Sequence, residues 1–157
     1  MKAYELTAQA LGYILTPIAF AEMFTAMQTG IVNGAIGAGA EGYYANLRDL
    51  TKYYLPLNDH FEMWFLYMNK DTLNGLSENQ QKILREAATA METKRFGDAE
   101  QQEKEFENKL AENGVEIIQF TDEELEGFAK KIRKEVWPQI KDEFGAEIFD
   151  SIVSDIK

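Results

Sequence analysis

Cysteine is absent from this chain, and histidine occurs once, at position 60. The first absence excludes disulfides and thiol chemistry, and leaves the redox compartment open. The second excludes a histidine cluster, so any histidine-containing triad would have to be built around His60. No serine sits in a GxSxG elbow, and no Gly-Lys-Ser/Thr follows a glycine run, which removes a P-loop. Bases are scarce: 16 against 27 acids, a net charge of −11. Phosphate backbones would repel such a chain, and no Lys/Arg cluster offers a local exception, so no nucleic-acid partner is expected. No apolar run reaches the ~18 residues of a membrane span. The opening MKAYELTAQALGYIL holds Glu5 and no continuous apolar region, so it does not read as a secretory signal.

What is present suits a packed fold. Hydrophobic residues make up 45% and aromatics 12% of 157 residues, enough for a core in one domain or one lobe of something larger. The acids are unevenly spread. Through Lys70 there are 6 acids and 4 bases; from Asp71 onward there are 21 and 12. The ordinary reading of that acidic half is solvated helix faces.

The stretch Phe20 to Tyr44, FAEMFTAMQTGIVNGAIGAGAEGYY, organises the rest. Phe24, Met27 and Ile31 recur at helical spacing, and Gly30 stands where a helix end wants a residue tolerant of positive φ. Five of the eleven glycines (Gly30, Gly34, Gly37, Gly39, Gly42) fall within the thirteen positions from Gly30 to Gly42. Around them lie small or apolar residues, which argues for a backbone passing close to a ligand or another segment.

Before it, Ala3 to Leu11 reads as a short helix stopped by Gly12, and Tyr13 to Phe20 as a short strand holding Pro17. After it, Ala45 to Leu50 continues a brief helix. Lys52 to Leu57 and Phe61 to Met68 (FEMWFLYM) read as extended segments around Asn58-Asp59-His60, the second as a strand buried on both faces. Ser77, with Gln80 three residues on, opens a helix from about Ser77 to Asn113, about 50 Å long. Ile83, Leu84, Ala87, Ala88 and Met91 form its apolar stripe, resumed by Phe106 and Leu110. Val115 to Phe120 reads as a strand, Thr121 with Glu124 caps a helix that Pro138 kinks or breaks, and Gly145 sets off a last helix. The class is mixed α/β, with too few strands for a doubly wound sheet.

Gly37-Ala-Gly39-Ala-Glu-Gly42 spells GxGxxG, with Asp59 near the place of a ribose-binding acid. A dinucleotide site would need a clear strand before it and a long helix after it, and neither is evident. That enzyme reading, on Gly37, Gly39 and Gly42, stays open as an alternative. Asp59, His60 and Glu62 in an extended segment point to alternating faces, so no metal site is expected there. Glu22 and Glu41 could form an acid/base pair, yet Glu22 sits in a first helical turn, where a carboxylate is favoured anyway. No catalytic residue, metal or cofactor emerges.

A binding role remains, and a resemblance supports it. The run from Pro17 to Gly34 (PIAFAEMFTAMQTGIVNG) resembles a signature of the solute-binding subunits of tripartite ATP-independent periplasmic (TRAP) transporters, dicarboxylate-binding type. Lys52-Tyr53 with Asn58, Tyr67 to Lys70, Leu76 to Leu84 and Gly114 to Ile118 are similar to later parts of that family.

The resemblance implies one lobe of a periplasmic-binding-protein-like two-lobe fold, the C-terminal half of a complete protein. Residues 1–60 would give mainly second-lobe cleft wall, 61–76 a hinge strand and turn, and 77–157 the long helix, a strand and the last helices. It implies an extracytoplasmic or periplasmic place, a small organic-acid ligand held between lobes, and membrane subunits as partners. Phe20 matches the family aromatic that packs on ligand. Gly37 stands where some members carry a carboxylate-contacting asparagine. The carboxylate-clamping arginine would lie upstream of Met1, and Arg48 does not match it, so the main determinant of carboxylate selection is missing. The expected ligand wall is Phe20, Asn33, Ala35, Ile36, Gly37, Tyr43, Tyr44, Asn58 and Trp64, with backbone amides as donors. Uncovered strand surface at Phe61 to Met68 would favour self-association.

Overall fold

The computed structural model describes residues 2–60 and 63–156. Helices dominate: α1 (Lys2–Ala10), α2 (Phe20–Gln28), α3 (Gly39–Leu47), α4 (Lys70–Asn74), α5 (Glu78–Glu112), α6 (Asp122–Glu135), α7 (Trp137–Phe144) and α8 (Ala146–Asp155). Two short strands, β1 (Tyr53–Tyr54) and β2 (Glu116–Ile117), pair in parallel with Tyr53 opposite Glu116 and Tyr54 opposite Ile117. The crossover between them carries α4 and all of α5. The fold is a mixed α/β unit in which the long helix does most of the spanning.

Helix ends follow their local chemistry. Ser77 accepts from the Gln80 N–H while the Gln80 side chain accepts from the Ser77 N–H, and Thr121 and Glu124 repeat the arrangement at α6. Asn69 does the same work for α4, accepting from the N–H groups of Asp71 and Thr72. Beyond α2, Gly30 takes φ 76°, a conformation that Cβ-bearing residues avoid. Pro138 lies at the second position of α7, where its missing N–H costs nothing, and the break from α6 falls at Val136.

Two expected strands do not form. Residues 13–19 are irregular, because Pro17 cannot donate to a ladder and no strand among the described residues pairs with them; Phe20 instead begins α2. Met63 to Asn69 are also irregular, and Met63 to Met68 are exposed. Their apolar pattern suits a buried strand, yet a strand requires a partner edge, and the one sheet among the described residues ends at β1 and β2. Phe61 and Glu62 lie outside the described residues.

The core gathers where α3, α5 and the two strands meet. Ala40, Tyr54, Leu110 and Val115 are buried there, with Tyr43, Tyr44, Phe106 and Ile117 packed around them. At the other end α1 docks on the C-terminal helices, and Lys2 Nζ donates to the Gln139 carbonyl at 3.1 Å. Val136 and Ile140 are buried in this second region, where Trp137 meets Phe149 edge-on at 5.8 Å. The accessible surface is 12242 Å². A compact monomer of this mass would expose roughly 8,000 Å², so much apolar surface stands uncovered.

Leu110 is fully buried at the crossing of α5 with α3 and the strands. Leu110→Ala is expected to lower unfolding free energy by about 2–5 kcal/mol, read from urea midpoints. A loss under ~0.5 kcal/mol, the range of surface substitutions, would show that this crossing is not the core.

Candidate functional site

The segment joining α2 to α3 carries the candidate site. After Gly30, the N–H groups of Ile31 and Val32 both turn back to the Ala26 carbonyl, which closes the end of α2. The following N–H groups, from Asn33 to Ile36, have no intrachain acceptor among the described residues. Asn33, Gly34 and Ala35 are exposed and Ile36 half-buried. Four consecutive backbone donors on one short segment are thus without a partner among the described residues. Gly37 follows with φ 106°, and a Cβ there would stand 3.8 Å from the Tyr4 ring.

Tyr43 holds this segment from below. Its hydroxyl donates to the Ala35 carbonyl at 3.0 Å, and its ring meets Tyr54 edge-on at 5.8 Å. Burial pushes its pKa up to about 12, against the amides of Ala38 and Gly37, which favour the ionised oxygen. Ala38, which begins α3, has no side chain with which to cap it. Glu103 supplies the acceptor from α5: its Oε1 takes the Ala40 N–H and the Tyr54 hydroxyl, both at 3.0 Å. Burial and then the Glu103 charge hold the Tyr54 phenol far above its usual range. One turn along α5, Glu107 is also raised, first by burial and then by Glu103.

The expected wall is not assembled in one place. Asn33, Ala35, Ile36, Gly37 and Tyr43 share the α2–α3 segment. Phe20 lies at the far end of the α2–α3 hairpin, where Phe20, Ala21, Met23, Phe24, Ala45, Asn46 and Leu47 line a groove of about 320 Å³. Nine residues of α3 put roughly 12 Å between that groove and the glycine segment. Tyr44 packs on Phe106 with Arg48 and Lys109 over its ring, so it serves the core. Asn58 is exposed with φ 50°, and Trp64 is 87% exposed.

The GxGxxG alternative fails on geometry. Irregular chain rather than a strand precedes Gly37, and the Ala40 amide in the first turn of α3 already holds the Glu103 carboxylate. A negative charge thus occupies the place a pyrophosphate would need. Gly42 has a packing role, since a Cβ there would come within 3.0 Å of the Ala38 Cβ. His60 is a turn residue: its Nδ1 lies 3.1 Å from Asp59 Oδ1, off the angle of a hydrogen bond, and its ring meets Tyr4 edge-on. Among the described residues no group of three or more His, Asp or Glu is placed to hold a metal. Glu41 pairs with Arg95 on α5, away from Glu22 in the first turn of α2.

Glu103, Glu107, Tyr54 and Tyr4 escaped the sequence reading as site residues. A signal did exist for the first. Glu103, Phe106 and Leu110 stand at i, i+3 and i+7, so one acid shares the face of the two apolar residues that resume the stripe.

Two pH effects are expected. The Tyr43 phenol has a folded pKa near 12 against about 10 unfolded. A raised folded pKa means this stability is fully present below pH ~10 and is lost as pH rises toward 12. Melting temperature should fall across that interval, and Tyr43→Phe should flatten the fall; an unchanged slope in the variant would contradict the assignment. For Glu107, also raised, the ionised form is the disfavoured one in the fold. Glu107→Gln should therefore raise the melting temperature at pH 7 and leave it nearly unchanged at pH 3. A lower value at pH 7 would reverse the sign.

Known proteins resemble this chain over most of its length. Residues 1–143 match the model of a family described as bacterial extracellular solute-binding protein, family 7. The ectoine-binding periplasmic protein TeaA of Halomonas elongata is 28% identical over 169 aligned positions, covering 96% of this chain and 46% of that protein. The solute-binding protein RD1_1052 of Roseobacter denitrificans is 35% identical over 88 positions, 55% of this chain and 27% of that protein. The chain spans about half the length, or less, of these curated relatives. Among the described residues no helix is long and apolar enough to cross a membrane. With the match running from Met1 almost to the end, the chain belongs to the family 7 (DctP) bacterial extracellular solute-binding proteins.

Proposed function

We propose that this chain is the cleft-wall half of an extracytoplasmic solute-binding component of a TRAP-type transporter. It binds a small organic acid for delivery to membrane subunits and makes or breaks no bonds itself. The observation that carries this reading is the run of unpaired N–H groups from Asn33 to Ile36, on a largely exposed segment. Successive backbone donors on a constrained segment can recognise a carboxylate without a side-chain charge, because their dipoles are held before the anion arrives. Gly37 keeps the segment free of a side chain, and Tyr43 fixes its height through the Ala35 carbonyl. Phe20, in its separate groove, offers apolar surface to the body of a ligand that reaches along α2. Asn58 and Trp64 would join only from the segment that enters the cleft from the other side.

In this reading residues 1–60 are the second-lobe wall, 61–76 the hinge segment and 77–157 the spanning helix with the C-terminal helices. The ligand is a carboxylate or a zwitterion with one carboxylate. The name of the ectoine-binding relative supports including the second class.

Calorimetry with succinate and with ectoine tests the reading. At least one should bind, and Ala35→Pro, which removes one of the four N–H groups, should weaken it about tenfold, the equivalent of one charge-assisted hydrogen bond. Circular dichroism should report unchanged helix content in that variant. Saturable NAD binding, or carboxylate binding indifferent to Ala35→Pro, would contradict the proposal.

A further inference from the structure

Asparagine is a thermolabile side chain, and in this chain glycine follows it at Asn33, Asn74 and Asn113. In such a pair the glycine nitrogen can attack the asparagine side-chain carbonyl, because no β-carbon shields it. The attack requires a nitrogen not already held in a hydrogen bond and a side-chain amide free to swing toward it. All three pairs are exposed, so access does not separate them. Hydrogen bonding does. At the end of α4 the Gly75 N–H donates to the Asp71 carbonyl at 2.9 Å. After α5 the Gly114 N–H donates to the Ala111 carbonyl at 2.9 Å, and Asn113 Nδ2 donates to the Arg48 carbonyl at 3.2 Å. The Gly34 N–H has no acceptor and the Asn33 side chain no partner among the described residues, and both residues lie in irregular chain.

We propose that Asn33 and Gly34 form a self-modification site, where deamidation places a new carboxylate within the amides proposed to meet a ligand. The Gly34 nitrogen bonds to Asn33 Cγ while the Cγ–Nδ2 bond breaks, and the proton of that nitrogen leaves with ammonia. The cyclic imide so formed takes up water. Opening at Cγ gives aspartate; opening at the backbone carbonyl gives isoaspartate, whose main chain is longer by one methylene. Either product sets a negative charge beside the N–H groups of Gly34, Ala35 and Ile36, where it repels an incoming carboxylate. That loss of binding rests on the ligand reading. The conversion does not, since it needs only these two residues and water.

Incubation of the full chain at mildly alkaline pH, followed by peptide mass mapping, tests the proposal. The Asn33 peptide should show amide-to-acid conversion roughly tenfold faster than those of Asn74 and Asn113, the equivalent of one backbone hydrogen bond broken before attack. Gly34→Ala shields the nitrogen and should bring Asn33 down to the rate of the other two. The variant should fold as the wild type does, because a Cβ at Gly34 meets nothing within 4 Å and its φ is not positive. Equal conversion at the three asparagines, or undiminished conversion at Asn33 in Gly34→Ala, would overturn the proposal. Calorimetry on aged chain should show succinate and ectoine binding lost in proportion to the converted fraction, and none lost in aged Gly34→Ala. Undiminished binding by fully converted chain would overturn the effect assigned to the new charge. Absence of binding in fresh chain would count against the ligand reading alone, whereas an intact Asn33 in aged chain counts against this one.

Discussion

Glu103 reaches from the middle of α5 to the first turn of α3 and to β1, and one of its oxygens accepts from both the Ala40 N–H and the Tyr54 hydroxyl. The helix it caps begins at an alanine that cannot cap itself. An unpaired N–H at this depth would cost about 1–3 kcal/mol, since Ala40 is fully buried. The carboxylate removes that cost and gains from the positive end of the α3 dipole. It also fixes the long helix laterally, so that Phe106 and Leu110 land on Tyr44 and the strand pair. With α3 anchored, the segment ahead of it has a fixed end, and Tyr43 can hold its middle by the Ala35 carbonyl.

The same contact governs where an anion can and cannot bind. Helix N-termini commonly receive phosphates and carboxylates, but here the protein's own carboxylate fills the place. In the proposed reading, the donors left for a ligand are the unpaired amides of Asn33 to Ile36, one step back along the chain. Donors held by the backbone need no ordering of a long side chain's rotamers.

What could be read from the sequence was what local chemistry determines. The Ser77–Gln80 and Thr121–Glu124 boxes, the stop at Gly30 and the break before Pro138 depend on residues within one turn, and all stand as read. The 35-residue length of α5 followed from its cap and from the Asn113-Gly114 stop. The strand expected at Phe61 to Met68 does not form over its described part, Met63 to Met68, because an apolar pattern states what a segment prefers as surroundings and cannot supply the edge it would pair with. The wall was only partly legible. A tyrosine at position 43 is visible in the sequence, but whether its hydroxyl faces a ligand or the Ala35 carbonyl depends on a fold-back set by glycine dihedrals. Glu103 was hidden in an acidic run whose other members are solvated, and only its register with Phe106 and Leu110 marked it out.

The central claim is that Glu103 and Tyr54 act as one coupled element rather than as two neighbours. A double-mutant cycle on urea unfolding with Glu103→Ala, Tyr54→Phe and the pair measures this most directly. The account predicts a coupling of about 0.5–3 kcal/mol, as found for residues sharing a hydrogen bond in one network. Additivity within ~0.3 kcal/mol, the behaviour of independent sites, would contradict it.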